Sequence, residues 1–328
     1  MKNLVLIRVP LRISFIGGGS DLPDYIKKTS HGCVISTAIN KYIYILIKKH
    51  NTEFEEKIKI HLTNHVENVN NTHNIKNKII RETLKELKFN KSVQIIIFND
   101  VKPSSGLGSS SSLIVGLIKG IFEIQNKKIS KQKLFKLATK IELDNLKSPI
   151  GYQDHAAAIY GGMNYFKFKK NNIEIKKIKL SNKMNNLYDK FYIYWSGRHR
   201  SANVILKDVR KNINLNFQFL DKIRNLTDDY FKKNTKNFSY SNLVNMINES
   251  WKVKQKFSKK ISNDRILSII NDLIRNGADA AKLNGAGGDG YITLCSSKKN
   301  LLRLKKKINN KYLSKVSIEQ NGVKVLHG

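Results

Sequence analysis

The chain has 328 residues, enough for two domains with a sizeable core each, and its 40% hydrophobic content excludes wholesale disorder. Sixty Lys and Arg against 25 Asp and Glu leave a formal charge of +35. The lysines are spread along the whole chain in short tracts interleaved with apolar residues, as in Lys167-Phe168-Lys169-Lys170, which favours solvated faces over a dedicated nucleic-acid surface.

In chain order, Met1 to Arg12 carries charge before any long apolar run, and no signal peptide or transmembrane helix is visible. Leu4–Val9 and Val34–Ile47 read as strands, the second interrupted near Ala38-Ile39-Asn40. Between them lies RVPLRISFIGGGSDLPD (8–24), a strand running into glycines and an aspartate. Cys33 and Cys295 lie far apart and form no CxxC or metal-ligand pattern, so a reduced, cytoplasmic compartment is expected. Val93–Phe98 has the length and β-branched content of a buried strand, and Leu113–Phe122 reads as an apolar helix. PSSGLGSSSS (103–112) sits between these two. Consecutive small residues ahead of a helix let unpaired backbone N–H groups converge at its positive end, so the stretch reads as an anion cradle rather than a linker, with a structural turn as the alternative. Lys131–Leu146 has helical spacing with Ser130 as N-cap, and Met163–Phe168 with Ile173–Leu180 form a hairpin about Asn171-Asn172. A polar stretch, Ser181–Asn186, marks a domain boundary, giving domains of 1–183 and 184–328. After it come a strand at Phe191–Trp195, several helices, a strand at Tyr291–Cys295 and a terminal pair around Asn321-Gly322, with no internal repeat. Strands and helices mixed without strict βαβ alternation point to two α+β domains.

Three segments together carry a resemblance. RVPLR…GGGSD, PSSGLGSSSS and KLNGAGGDG (282–290) resemble, in order and distance, the three motifs of the GHMP kinases. Within that superfamily, GGGSDLPDY…HGCVISTAINKYIYI and PIGYQDHAAAIYGGMNYF resemble the D-glycero-D-manno-heptose 7-phosphate kinases. The resemblance implies an N-terminal domain like the second domain of ribosomal protein S5 and a ferredoxin-like C-terminal domain, with the active site between them. It further implies ATP and Mg²⁺ as cofactors and phosphorylation of the anomeric hydroxyl of a heptose 7-phosphate. A fucokinase-like activity is the alternative among enzymes, and an RNA-binding protein of S5-like fold the alternative of another class. A small-molecule sugar phosphate is the expected partner, with no membrane partner, and a homodimer is left open.

The resemblance also assigns residues. Pro103, Ser104, Ser105, Gly106, Leu107, Gly108, Ser109, Ser110 and Ser111 hold the nucleotide phosphates, and Ser110 with Glu142 holds the metal. Asp154 takes the proton of the attacking hydroxyl, with Arg12 beside it. Gly17, Gly18, Gly19, Ser20 and Asp21 face the sugar, as do Gly285 and Gly287, and Arg200 reads the acceptor's phosphate. Judged alone, Glu142 reads as a solvated helix carboxylate, Asp21 as a turn residue, and Arg198 and Arg200 as loop arginines. Three positions depart from the family pattern: His155 stands for a glutamine, Ser104 for a glycine and Asn40 for an aspartate.

Overall fold

Alternate residues of the first strand, Val5, Ile7 and Val9, are fully buried, and from Val9 onward both faces are covered. Period-two burial thus gives way to the two-sided burial of a central strand, because helices pack along its later half. The computed structural model describes residues 2–51, 53–103, 105–170, 172–178, 191–198, 202–234, 238–258 and 260–328.

The chain begins β1 (Leu4–Ile16), α1 (Pro23–Ile26), β2 (Gly32–Lys49), β3 (Ile58–His61), β4 (Val66–Val69), α2 (Lys78–Glu86) and β5 (Val93–Asn99). Then come α3 (Ser109–Ile124), α4 (Lys131–Thr139), a π-helical turn (Lys140–Asn145), α5 (Gln153–Tyr160), β6 (Met163–Phe168) and β7 (Ile173–Lys177). The later part holds β8 (Phe191–Trp195), α6 (Ala202–Lys211), α7 (Phe217–Asn234), α8 (Tyr240–Lys254) and α9 (Asp264–Asn276). It ends with β9 (Ala280–Leu283), β10 (Tyr291–Cys295), α10 (Lys298–Lys307), β11 (Leu313–Lys315) and β12 (Lys324–His327).

The larger sheet runs β12-β1-β2-β5-β3-β4, with β6 and β7 attached through β2; the smaller runs β11-β8-β10-β9. Among the described residues all strand pairs are antiparallel except β3 with β5. Helices α3, α5 and α8 all pack on β1, so the strand that carries Arg12 is gripped by both parts of the chain.

Several expectations are refined. β2 is continuous through Ala38–Asn40, but its register with β1 slips there, from Pro10 opposite Tyr42 to Leu11 opposite Ile39. At that irregularity β2 changes its other partner, pairing with β6 through Gly32–Thr37 and with β5 through Ile43–Lys49. Ser130 caps α4 by accepting from the Lys133 N–H, yet the helix expected to Leu146 widens into the π-helical turn after Thr139. The terminal pair around Asn321-Gly322 is a correction: β11 joins the smaller sheet and β12 joins β1 in the larger. Gly322 is pressed against the Ile159 carbonyl, leaving no room for a Cβ, so the chain passes beneath α5 instead of folding back on itself. The boundary expected at Ser181–Asn186 lies outside the described residues.

Candidate active site

Arg12 is the point from which the site is built. It sits late in β1, where the strand is covered on both faces, and is 4% exposed. A buried guanidinium demands partners. Its Nε donates to Asp154 Oδ1 (2.7 Å) and another of its nitrogens to the Gly106 carbonyl (2.7 Å). Asp154 is held in the first turn of α5. One cation therefore ties that carboxylate to the loop preceding α3.

That loop ends at Gly108, whose positive φ of 80° makes it a left-handed N-cap without a side-chain cap. The first backbone bond of α3 runs from the Ser112 N–H to the Gly108 carbonyl (3.0 Å), so the N–H groups of Ser109, Ser110 and Ser111 lack an intrahelical acceptor. A Cβ on Gly108 would lie 3.3 Å from the Asp154 carboxyl carbon. The uncapped helix start, suited to an anion, and the carboxylate are thus in near contact.

Glu142, in the π-helical turn, is 2% exposed. Its Oε1 accepts from Ser110 Oγ (2.6 Å) and its Oε2 from Ser111 Oγ (2.6 Å). His155 Nε2 lies 2.7 Å from Oε2, at ion-pair distance but off the line of a good hydrogen bond. Burial opposes ionisation of Glu142, but His155 and the two hydroxyls outweigh it and hold its carboxyl below the usual range. The solvated-carboxylate reading of Glu142 is therefore overturned. The histidine found in place of glutamine is the partner of Glu142 and is fully buried.

Asp21 is 1% exposed. Burial pushes its carboxyl up, opposed by the Gln153 and Gly19 N–H groups that donate to it (3.1 and 2.9 Å). Gly151 has no room for a Cβ because Asp21 fills that space.

Arg12, Asp21, Asp154, Glu142, Ser109, Ser110, Gly18, Gly19, Gly106, Gly108 and Gly285 line one cavity of about 430 Å³. Other expected residues support its walls. Gly17, at φ 98°, is pressed on the Cys33 carbonyl, and Ser20 Oγ donates to the carbonyls of Gly17 and Cys33. Gly285 packs on Gly106, bringing the two glycine loops backbone to backbone, whereas Gly287 closes onto Ile261. Ser105 and Leu107 are fully buried, Ser111 is turned to Glu142, and Pro103 is exposed. Ser104 and Arg200 lie outside the described residues.

Residues 74–162 match the GHMP kinases N terminal domain and residues 231–314 the GHMP kinases C terminal domain, together just over half of the chain. The chain belongs to the GHMP kinases. As a GHMP kinase it is an ATP-dependent phosphotransferase of α+β fold. It is 29% identical, over 97% of both chains, to a D-glycero-alpha-D-manno-heptose 7-phosphate kinase of Campylobacter jejuni. It is 22% identical to a bifunctional fucokinase/GDP-fucose pyrophosphorylase of Arabidopsis thaliana, over 87% of this chain and 29% of that protein. Its fold is similar to the crystal structure of a D-glycero-D-manno-heptose 1-phosphate kinase from Bacteroides thetaiotaomicron, with a TM-score of 0.78 at 20% identity over 99% of each chain. A Lactococcus lactis galactokinase complexed with galactose matches with a TM-score of 0.76 at 17% identity, over 98% of this chain and 95% of that one.

Two cavity residues of this GHMP kinase escape the sequence reading. Lys254, at the end of α8, donates to the carbonyls of Leu283 and Gly285, and Lys282 on β9 donates to the Phe15 carbonyl and Ser250 Oγ (both 3.1 Å). Burial, reinforced by Arg12, brings Lys254 down to about 7; burial, reinforced by Lys254, takes Lys282 well below its ordinary value. In α8 the buried Ile247 and Ser250 stand seven and four residues before Lys254, so helical periodicity places it on the apolar face.

Proposed function

We propose that this chain transfers the γ-phosphoryl group of ATP to the anomeric hydroxyl of D-glycero-α-D-manno-heptose 7-phosphate, giving the 1,7-bisphosphate for nucleotide-activated heptose synthesis. The observation that carries the reading is the Arg12–Asp154 pair set against Gly108 at the uncapped start of α3. It puts a carboxylate and a phosphate cradle side by side, the geometry an in-line transfer needs. The heptose as acceptor rests on the Campylobacter relative, which matches over almost the whole of both chains.

In this scheme the loop Pro103–Ser111 and the N–H groups at the start of α3 hold the nucleotide phosphates. Asp154 accepts the proton of the anomeric hydroxyl as its oxygen bonds to the γ-phosphorus and ADP leaves. Arg12 fixes the rotamer of Asp154 and its distance from the phosphate loop. Asp21, held by two backbone N–H groups, accepts hydrogen bonds from the sugar, and Gly18 and Gly19 let the backbone come close. Ser110 Oγ and the Glu142 carboxylate, side by side at the cavity wall, suit a hard divalent cation that keeps several waters, so they are the residues to hold Mg²⁺. The cation supplies neutralisation of the phosphate charge. Arg200 is proposed to read the acceptor's own phosphate. Cytoplasmic location is part of the proposal. Among the described residues no helix is long and apolar enough to cross a membrane.

The deciding experiment is a screen of hexoses, heptoses and their phosphates with ATP and Mg²⁺, following ADP release. Turnover highest with the heptose 7-phosphate supports the assignment, and release only at the blank rate with every heptose and hexose phosphate sinks it. The Arabidopsis relative makes an unphosphorylated deoxyhexose the second acceptor to try. Arg200→Ala is expected to weaken use of heptose 7-phosphate by about 1.5–3 kcal/mol, the range for a charge-assisted hydrogen bond, with little effect on unphosphorylated heptose. Equal losses of kcat/KM with the two sugars would show that Arg200 does not read the phosphate.

A further inference from the structure

Behind the turn that carries Asp21, three potential ligand atoms of different chemistry converge. His31 and Cys33 are two residues apart at the start of β2, so their side chains leave the same face. Asp228 reaches them from α7. The ligand atoms of the three all lie within 4.8 Å of one another. Cys33 is fully buried, while His31 and Asp228 keep 13% and 15% side-chain exposure, enough to leave one side of the cluster open to solvent.

The surroundings fit a cation. His31 Nε2 faces Asp228 Oδ2 (2.8 Å), and its other ring nitrogen is engaged by Ser30 Oγ (2.8 Å), which fixes the ring with Nε2 directed inward. The Tyr165 hydroxyl donates to Asp228 Oδ1 (2.6 Å), leaving Oδ2 as the inward oxygen. Such outer contacts orient metal ligands. Cys33 Sγ reaches the Arg224 carbonyl (3.4 Å) and is in hydrogen-bond contact with Asp228 and the Tyr165 hydroxyl. An ion pair between His31 and Asp228 explains two of the three groups. The sulfur converges on the same carboxylate, which brings a third donor of metal-ligand type to one point.

We propose that His31, Cys33 and Asp228 form a binding site for a transition-metal dication of the zinc type, separate from the phosphoryl-transfer cavity. One thiolate, one imidazole and one carboxylate are the donor types zinc accepts, and three protein ligands leave a fourth position for water. Bond lengths of about 2.0–2.3 Å set tetrahedral ligands about 3.5 Å apart, so no edge of the triangle has to close by more than about 1.3 Å, and the 2.8 Å edge between His31 and Asp228 has to open. Binding releases the thiol proton. The cation would clamp β2 to α7. Because the Cys33 backbone N–H donates to Ser20 Oγ (3.1 Å), the clamp lies one hydrogen bond from the turn that aims Asp21.

Titration of the metal-free chain with Co²⁺ tests this. One equivalent should produce a near-ultraviolet thiolate-to-cobalt charge-transfer band that Zn²⁺ abolishes and excess Mg²⁺ does not. Cobalt at the Ser110–Glu142 position has no sulfur ligand and gives no such band. Cys33→Ser should remove the band, and so should His31→Ala, a change at a part-exposed position that leaves the buried sulfur in place. Zn²⁺ should raise the melting temperature of the parent and of neither variant. Absence of the band in the folded parent, its survival in His31→Ala, or an equal Zn²⁺ shift in the variants would overturn the site.

Discussion

The Asp154 carboxylate is held by the guanidinium of Arg12, and its proposed role, on the acceptor proton, is separable from nucleotide binding. Asp154→Asn is expected to lower kcat by about 10²–10⁴, the usual cost of losing a general base, while the KM for ATP stays within about twofold. Near-parental kcat would remove Asp154 from the reaction. Lys254 offers a different test at the same scale. Its charged form is buried in the folded chain and titrates at about 7 there, against about 10.4 in an unfolded chain. Between these values the unfolded state binds more protons, so the stability of the parent rises with pH across that window. Below about pH 7 both states are protonated and the full cost of the buried ammonium is present. Lys254→Met removes the group, so its stability relative to the parent should fall as pH is raised from about 7 to about 10. Denaturant melts of both proteins at several pH values read this out, and parallel curves would mean that Lys254 titrates in the folded chain as it does in the unfolded one. Arg12 and Asp154 stand in motifs that carry the resemblance, whereas Glu142 stands in none of them and alone reads as a solvated carboxylate. Lys254 was not legible, since in a chain with 60 basic residues a lysine is camouflage and only its place on the buried face of α8 marks it out. Lys282 opens the KLNGAGGDG stretch, but nothing in that stretch marks it as buried.

Two loops and one helix start share a seam at the level of elements. A Cβ on Gly285 would lie 2.6 Å from the Gly106 Cα, and Gly285 has a φ of 59°. Gly285→Ala therefore combines left-handed strain with a backbone collision and should cost about 1–3 kcal/mol. Gly162→Ala is the control: its φ of 68° carries the strain, but its nearest neighbour is 3.6 Å away. Equal losses in the two would mean the loops do not need their close approach. At the head of α3, Ser110→Ala and Glu142→Gln should each raise the Mg²⁺ concentration for half-maximal activity, because both proposed ligands lie on one wall. An unchanged metal dependence in both would take the metal away from this wall. Among elements, α3, expected over Leu113–Phe122, begins four residues earlier at Ser109, whereas the long apolar strands and the α4 start were readable from periodicity and from Ser130. The short strands β3, β4, β9 and β12 were not, because four residues show no period, and β12 contains only two apolar side chains. The π-helical turn that sets Glu142 against α3 likewise has no signature in side-chain spacing.

The whole molecule carries +35, and a field of that size draws anions inward. Raising ionic strength from about 0.1 M to about 1 M shortens the screening length from about 10 Å to about 3 Å. The kcat/KM for a phosphorylated acceptor at saturating ATP should then fall several-fold, while that for any neutral sugar it accepts should stay nearly flat. An equal response from both acceptors would mean the lysines are too evenly spread to steer. The larger sheet also has a property that no single residue displays. Its β1 edge is completed by β12, a strand that pairs residues 6–8 with residues 324–327. On the ribosome this edge therefore stays open until the strands of the smaller sheet have been made, and the larger sheet is closed after them. A nascent chain of this kind presents the exposed rim of β1 to any other extended segment for that entire interval, a situation in which holding chaperones act and in which misassembly begins.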